Sequence, residues 1–207
     1  VARLLGVTTI EIAGIPSVGV DAVISENLLL RARFAEFVCP ARFGRTVYGV
    51  GEPSTSLADG MLRIAMVSPY SVSVPGGVQS QVLGLAREMR RLGHEVRVLA
   101  PCDGPPPESF VTPLGNSLPT SANGSVAALA PDPSAALRTI RALNDEAFDV
   151  IHLHEPLVPG PTVTALLMRM APTVGTFHAA GDSTSYRVLN RTARWAANHI
   201  DVRVAVS

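Results

Sequence analysis

Two groups of residues stand where chemistry can be done. The first is Gly76-Gly77, which closes a Pro/Ser loop after the apolar run Leu62 to Ser68, at the point where a helical pattern begins. Backbone N–H groups at a helix start lack intrahelical partners and carry the positive end of the helix dipole, and paired glycines let an anion approach without a Cβ in the way. The chemistry on offer there is the holding of a phosphate. A tight strand-to-helix turn that binds nothing has the same local pattern, and both readings stay open at this level. The second group is His152, His154 and Glu155 in HLHEP, with His178 in TFH. Two histidines do not make a metal site, so the expectation for His152 and His154 is strand-end packing with a hydrogen bond at the rim, and no bound metal.

The elements that must position these residues are legible from Met61 onward. Strand-like runs fall at Leu62 to Ser68, Glu95 to Ala100, Asp149 to His154, Thr173 to Phe177 and Val202 to Val206. Helical patterns lie between them at Gly77 to Leu92, Pro133 to Ala147, Pro161 to Met170 and Ser185 to Ala197. Continuous apolar strands alternating with helices predict an α/β fold, a Rossmann-like parallel sheet with helices on both faces. In the first helix Val78, Val82, Leu85, Met89 and Leu92 form one stripe, closed by Gly93 as a C-cap. Trp195 and Tyr186 are expected to pack the last helix. Cys102 to Ser125, rich in Pro, Gly, Ser and Asn, reads as one long loop, a kind of segment that often carries function. In an open sheet of this type ligands sit beyond the C-terminal strand ends. That rule brings Tyr70, Gly76-Gly77, His154, Glu155 and His178 to one rim, with Asn123 lowered over them by the long loop.

Composition bounds the function classes. The chain has 207 residues, 47% of them apolar and 16% charged, with zero formal net charge, so no overall field draws it to nucleic acid. All 17 basic residues are arginine, which excludes Schiff-base chemistry on a lysine. Cys39 and Cys102 stand far apart without a CxxC companion, and a reducing cytoplasm is the expected setting. No uninterrupted apolar run reaches the roughly 18 residues of a spanning helix. Residues 1–60 hold neither helical nor strand periodicity and are set aside as an N-terminal extension, either upstream sequence or an extra subdomain; the domain proper is 61–207.

The series RIAMVSPYSVSVPGGVQS, NGSVA, FDVIHLHEP, TFH and a terminal AVS, in that order, resembles the N-terminal domain of GT-B glycosyltransferases of the family 4 type. Within that family it is most similar to the branch that mannosylates phosphatidylinositol. The resemblance spans about residues 61–207. It implies the acceptor-side half of a two-domain enzyme that moves a sugar from a nucleotide sugar with retention at the anomeric carbon. By this likeness Gly76 and Gly77 approach the donor diphosphate, Gly77 stabilising the leaving charge. Tyr70, Gln79 and Asn123 match the polyol headgroup site, and the imidazole of His178 lies near the transferred sugar. The implied partners are a nucleotide sugar, GDP-mannose first, and a polyol or phosphatidylinositol-type acceptor. No separate cofactor is implied. The implied location is cytoplasmic, at most peripheral at the inner face of the plasma membrane. This half alone is expected to be inactive.

Departures from the family pattern bear on the acceptor. Ser73 stands where the loop before VPGG is acidic, and Ala179-Ala180-Gly181-Asp182-Ser183 replaces a Thr/Ser stretch ending in lysine. Loss of a cation weakens phosphate recognition. The helix after NGSVA offers only Arg138 and Arg141, offset by Asp145 and Glu146, so membrane contact is expected to be weak. A non-catalytic carbohydrate- or headgroup-binding module remains the alternative. A nucleotide-dependent oxidoreductase does not, because PGGVQS lacks the third glycine and the spacing of GxGxxG.

Overall fold

The computed structural model describes residues 61–122, 125–178 and 195–205. The expectations for 1–60, Asn123, 179–183, Tyr186 and most of the last helix lie outside them.

Six parallel strands form the main sheet. In chain order they are β1 (Arg63–Val67), β2 (Glu95–Ala100), β3 (Val111–Pro113), β6 (Val150–His154), β7 (Thr173–Phe177) and β8 (Val202–Ala205). Their spatial order is β3-β2-β1-β6-β7-β8. The order reverses between β1 and β6, so the crevice favoured for ligands opens at the C-terminal ends of those two strands. β1 aligns with both neighbours, Met66 opposite Val98 on one side and His152 on the other.

Among the described residues, the longer helices are α1 (Gly77–Arg91), α2 (Pro133–Asp145) and α3 (Pro161–Met168). Right-handed crossovers leading in opposite directions from β1 put α1 on one face and α2 with α3 on the other. Both faces are therefore covered, and strands such as β7 are buried along their whole length. The core under α2 and α3 joins Val67, Leu99, Leu143, Ile151, Leu153 and Leu166.

Local chemistry sets the helix ends. α1 buries Val82, Leu85 and Ala86, while Val78, Met89 and Leu92 are only half-buried, so the expected stripe is rotated slightly toward Ala86. It stops in a Schellman turn: Gly93, at φ +94°, donates to the Arg90 carbonyl and His94 donates to that of Met89. Asp132 caps α2 by accepting from the Ser134 and Ala135 amides, with Pro133 in the first turn where no N–H is needed.

The stretch expected as one long loop, Cys102 to Ser125, is not one. It contains β3, which pairs with β2, and β4 (Leu118–Ala122), which pairs antiparallel with β5 (Ser125–Leu129). Prolines masked these strands. Pro113 ends an edge strand and Pro119 lies in a two-stranded ribbon, the places where a missing N–H costs little. Trp195 also departs from expectation: it is 54% exposed, its ring 4.3 Å from His199, and Ala197 and Ile200 supply the packing.

Candidate functional site

The crevice is lined by the segments that leave the C-terminal ends of β1, β6 and β7. After β1 the chain turns through Ser68, whose hydroxyl accepts from the Tyr70 amide at 3.2 Å. Tyr70 bridges to Leu129, and the Ser71 amide donates to Ala128 O at 2.9 Å, so the β4–β5 ribbon is tied to this loop. The phenol of Tyr70 is half-buried, and burial, aided by the negative charge of Glu155, pushes its pKa up to about 12. It stays a neutral donor and acceptor at any physiological pH.

Gly76 is the N-cap of α1, with φ −173°, and offers no side-chain cap. Extended backbone of that kind needs no glycine, and a Cβ on Gly76 would meet only the side-chain amide of Gln79, the movable end of a flexible side chain. Gly77, the first residue of α1, is exposed, and nothing lies within 4 Å of where its Cβ would stand. Internal packing therefore does not demand glycine at position 77. Gln79 turns its amide back to the Ser71 carbonyl, Nε2 to O 3.4 Å, bracing the loop.

β6 and β7 deliver the histidines. Alternation along a strand puts His152 and His154 on one face, and the register sets His154 opposite Thr176, two residues before His178. The rings stack in series, with centroids 4.3 Å apart from His152 to His154 and 5.2 Å from His154 to His178. His152 Nε2 meets Thr176 Oγ1 at 2.8 Å, and His154 Nδ1 meets His178 Nε2 at 3.0 Å. His154 is 1% exposed and its Nε2 has no hydrogen-bond partner among the described residues. Burial pushes His152 and His178 down to about 4 and holds His154 well below its ordinary value, so all three rings are neutral at pH 7. The expected strand-end packing with a polar contact is what His152 does. His178 is a neutral hydrogen-bonding group, not an acid of ordinary histidine strength.

Glu155 is more deeply placed than a rim residue. It is 3% exposed, at φ +52°, a left-handed conformation uncommon outside glycine. The turn aims its carboxylate at the chain after β7, where Oε1 accepts the His178 amide at 2.5 Å. His178 is thus held twice, by its backbone on Glu155 and by its ring on His154.

Sequence reasoning missed one hub. Asp103, just after β2, accepts from Ser71 Oγ at 2.5 Å, from the Ser117 amide at 2.5 Å and from Ser117 Oγ at 2.8 Å. Its own amide donates to Ser73 Oγ at 2.9 Å. The Ser71 hydroxyl first, then Ser117, hold its carboxyl below the usual carboxylate range. The position of Asp103 at a strand's C-terminal end was the available signal, but its serine partners come from separate loops. A second cavity, of about 460 Å³, lies at the opposite end of the sheet, where β1 and β2 begin. Its arginines are engaged, Arg63 with Glu95, Arg97 with Glu146, and Arg90 over the Phe110 ring.

Residues 75–207 match the family model Glycosyltransferase Family 4, which is well over half of the chain. The chain belongs to glycosyltransferase family 4. Among curated members of the family it is 45% identical over 149 residues to a phosphatidyl-myo-inositol mannosyltransferase of Mycobacterium leprae, covering 70% of this chain and 40% of that protein. The proteins of the same name from Propionibacterium freudenreichii and Mycobacterium tuberculosis are 37% and 42% identical, with 70% of this chain covered in each. The chain thus spans about two-fifths of the length of the curated relatives it matches. Among solved structures, the crystal structure of Acinetobacter baumannii MurG is similar with TM-score 0.43 and 17% identity, over 70% of this chain and 41% of that one. Among the described residues, no helix is long and apolar enough to cross a membrane.

Proposed function

We propose that this chain is the acceptor-side domain of a retaining family 4 glycosyltransferase that moves mannose from GDP-mannose to a phosphatidylinositol-type lipid. The N-terminal half of a GT-B enzyme is the architecture in which the β1–β6 crevice faces a donor domain. The observation that carries the reading is Gly77: it opens α1 at the mouth of that crevice, with free space where a side chain would stand. A diphosphate can close on the unpaired amides of the first turn there, and the helix dipole stabilises the charge that grows on it as the sugar leaves. The names of the relatives support mannose as the sugar and phosphatidylinositol as the acceptor.

In this reading Tyr70 and Gln79, with Asn123, present hydroxyl and amide groups to the acceptor's hydroxyls. His178 offers its neutral imidazole to a hydroxyl of the transferred sugar and does not serve as general base. The leaving phosphate itself assists the attack on one face of the sugar. Membrane contact is weak and peripheral, on the cytoplasmic side. Transfer needs the donor domain as well, so the test is made in protein that carries both. Gly77→Asp in that protein should lower transfer from GDP-mannose to phosphatidylinositol by about 100-fold or more, the scale of losing charge stabilisation at a leaving group. The circular-dichroism spectrum should not change, because the added carboxylate meets open space. Wild-type turnover in this variant would refute the assignment.

A further inference from the structure

His154 is the most deeply buried of the three stacked histidines, and nothing in the proposed transfer uses it. Its Nδ1 faces His178 Nε2 at 3.0 Å, while its Nε2 is buried without a partner among the described residues. A neutral imidazole carries one proton, so the pair has two arrangements. In one, His154 holds its proton on Nε2, where the buried N–H finds no acceptor, and His178 donates from its own Nε2. In the other, His154 holds its proton on Nδ1 and donates it to His178, leaving a bare lone pair on its buried Nε2. Stranding a buried donor or acceptor costs about 1–3 kcal/mol, and among buried backbone groups an orphaned N–H is the rarer of the two defects, a preference carried here to the imidazole. The second arrangement is therefore the one the burial favours.

We infer that His154 is a positioning residue: by donating from Nδ1 it fixes His178 in the tautomer protonated at Nδ1. One ring nitrogen's hydrogen bond selects the proton's place on the other, as for any neutral histidine. The consequence is directional. His178 keeps its Nε2 lone pair occupied and offers an N–H donor from Nδ1. Such a donor suits an oxygen of the sugar, a step that rests on the function proposed above. The backbone clamp of Glu155 on the His178 amide, 2.5 Å, fixes the main chain from which that ring projects, so tautomer and position are set by different neighbours.

The tautomer is read without any activity measurement. In this chain labelled with 15N-histidine, long-range proton–nitrogen correlation spectra at pH 7 should show His178 protonated at Nδ1 and His154 protonated at Nδ1. In His154→Leu, His178 should revert to the Nε2-protonated form that is commoner in free imidazole. Wild-type His178 protonated at Nε2, or His178 still protonated at Nδ1 in His154→Leu, would overturn the inference. The wild-type spectrum decides by itself should the leucine variant fail to fold.

The kinetic arm uses protein carrying the donor domain. His154→Leu should lower kcat about 10- to 100-fold, the cost of a misplaced catalytic group, with KM for GDP-mannose little changed. His154→Asn, whose amide donates from nearly the place of Nδ1, should recover most of the loss. Equal defects in the two variants would overturn the positioning role. Absence of transfer in the wild type would instead refute the function proposed above, and leave the tautomer standing on its spectrum.

Discussion

Acid should begin to destabilise this domain before its carboxylates titrate. Three neutral histidines are packed into one layer on β6 and β7: burial, with a smaller push from His178, brings His152 down to about 4, and burial brings His178 to about 4 and holds His154 well below its ordinary value. In the unfolded chain each returns to about 6.5. A base whose folded pKa is depressed stays bare in the folded state while its unfolded form takes up a proton. Stability is therefore level above pH of about 7 and falls as pH drops through 6.5 toward 4. The slope is about 1.4 kcal/mol per pH unit for each proton taken up on unfolding. His152 alone contributes a loss of about 3 kcal/mol across its whole shift, against about 5–15 kcal/mol for an ordinary domain. His154 adds to it in the same direction, and the more accessible His178 adds less. The carboxylates of Asp103 and Asp132, held low by hydrogen bonds from Ser71 and Ser134 respectively, titrate below this window, and that of Glu88 is lowered by its hydrogen bond from Arg91. Urea unfolding followed by circular dichroism at pH 7.5, 6.5, 5.5 and 4.5 measures the slope directly. His152→Gln, whose amide reaches toward Thr176 where Nε2 now does, should flatten it by about one proton. A stability independent of pH between 7 and 5, or an unchanged slope in His152→Gln, would refute the reasoning.

Two further outcomes are expected from close contacts. Gly160 sits at φ +120°, and a Cβ there would lie 2.8 Å from the Ala130 carbonyl oxygen, which is backbone and cannot step aside. Gly160→Ala should cost about 3 kcal/mol, seen as a fall in Tm, and an unchanged Tm would contradict that approach. Asp103→Ala should speed hydrogen exchange at the Ser117 amide, which now donates to Oδ1, while the exchange of β1 and β6 amides stays as it was. Equal exchange of Ser117 in both proteins would remove Asp103 from its role as hub.

The strands and helices that carry the site were legible because each announces itself locally. β1, β2, β6 and β7 are short apolar runs between turn residues. The α1 stripe, its Gly93 stop and the Asp132-Pro133 start of α2 follow from side-chain chemistry alone. β3, β4 and β5 were not legible, since strands of three to five residues, two of them containing Pro113 or Pro119, carry no periodicity and exist only because β2 and the ribbon partner supply hydrogen bonds. Trp195 misled for a related reason: size favours burial, but the surface that covers a side chain is a property of the fold.

For the candidate site the division is similar. The type of residue at each strand end, and the glycines at the start of α1, came from the sequence together with the rule that ligands gather where parallel strands end. Those residues also sufficed to suggest the family. What tertiary structure alone decided is how they engage one another. The β6–β7 register set His154 against His178, and the left-handed turn at Glu155 brought its carboxylate to the His178 amide. Asp103 gathered serines 32 and 14 residues away. Hydrogen bonds across such separations depend on where loops close. Local pattern fixes which residues reach a strand's end, while packing of the whole sheet fixes which atoms then meet.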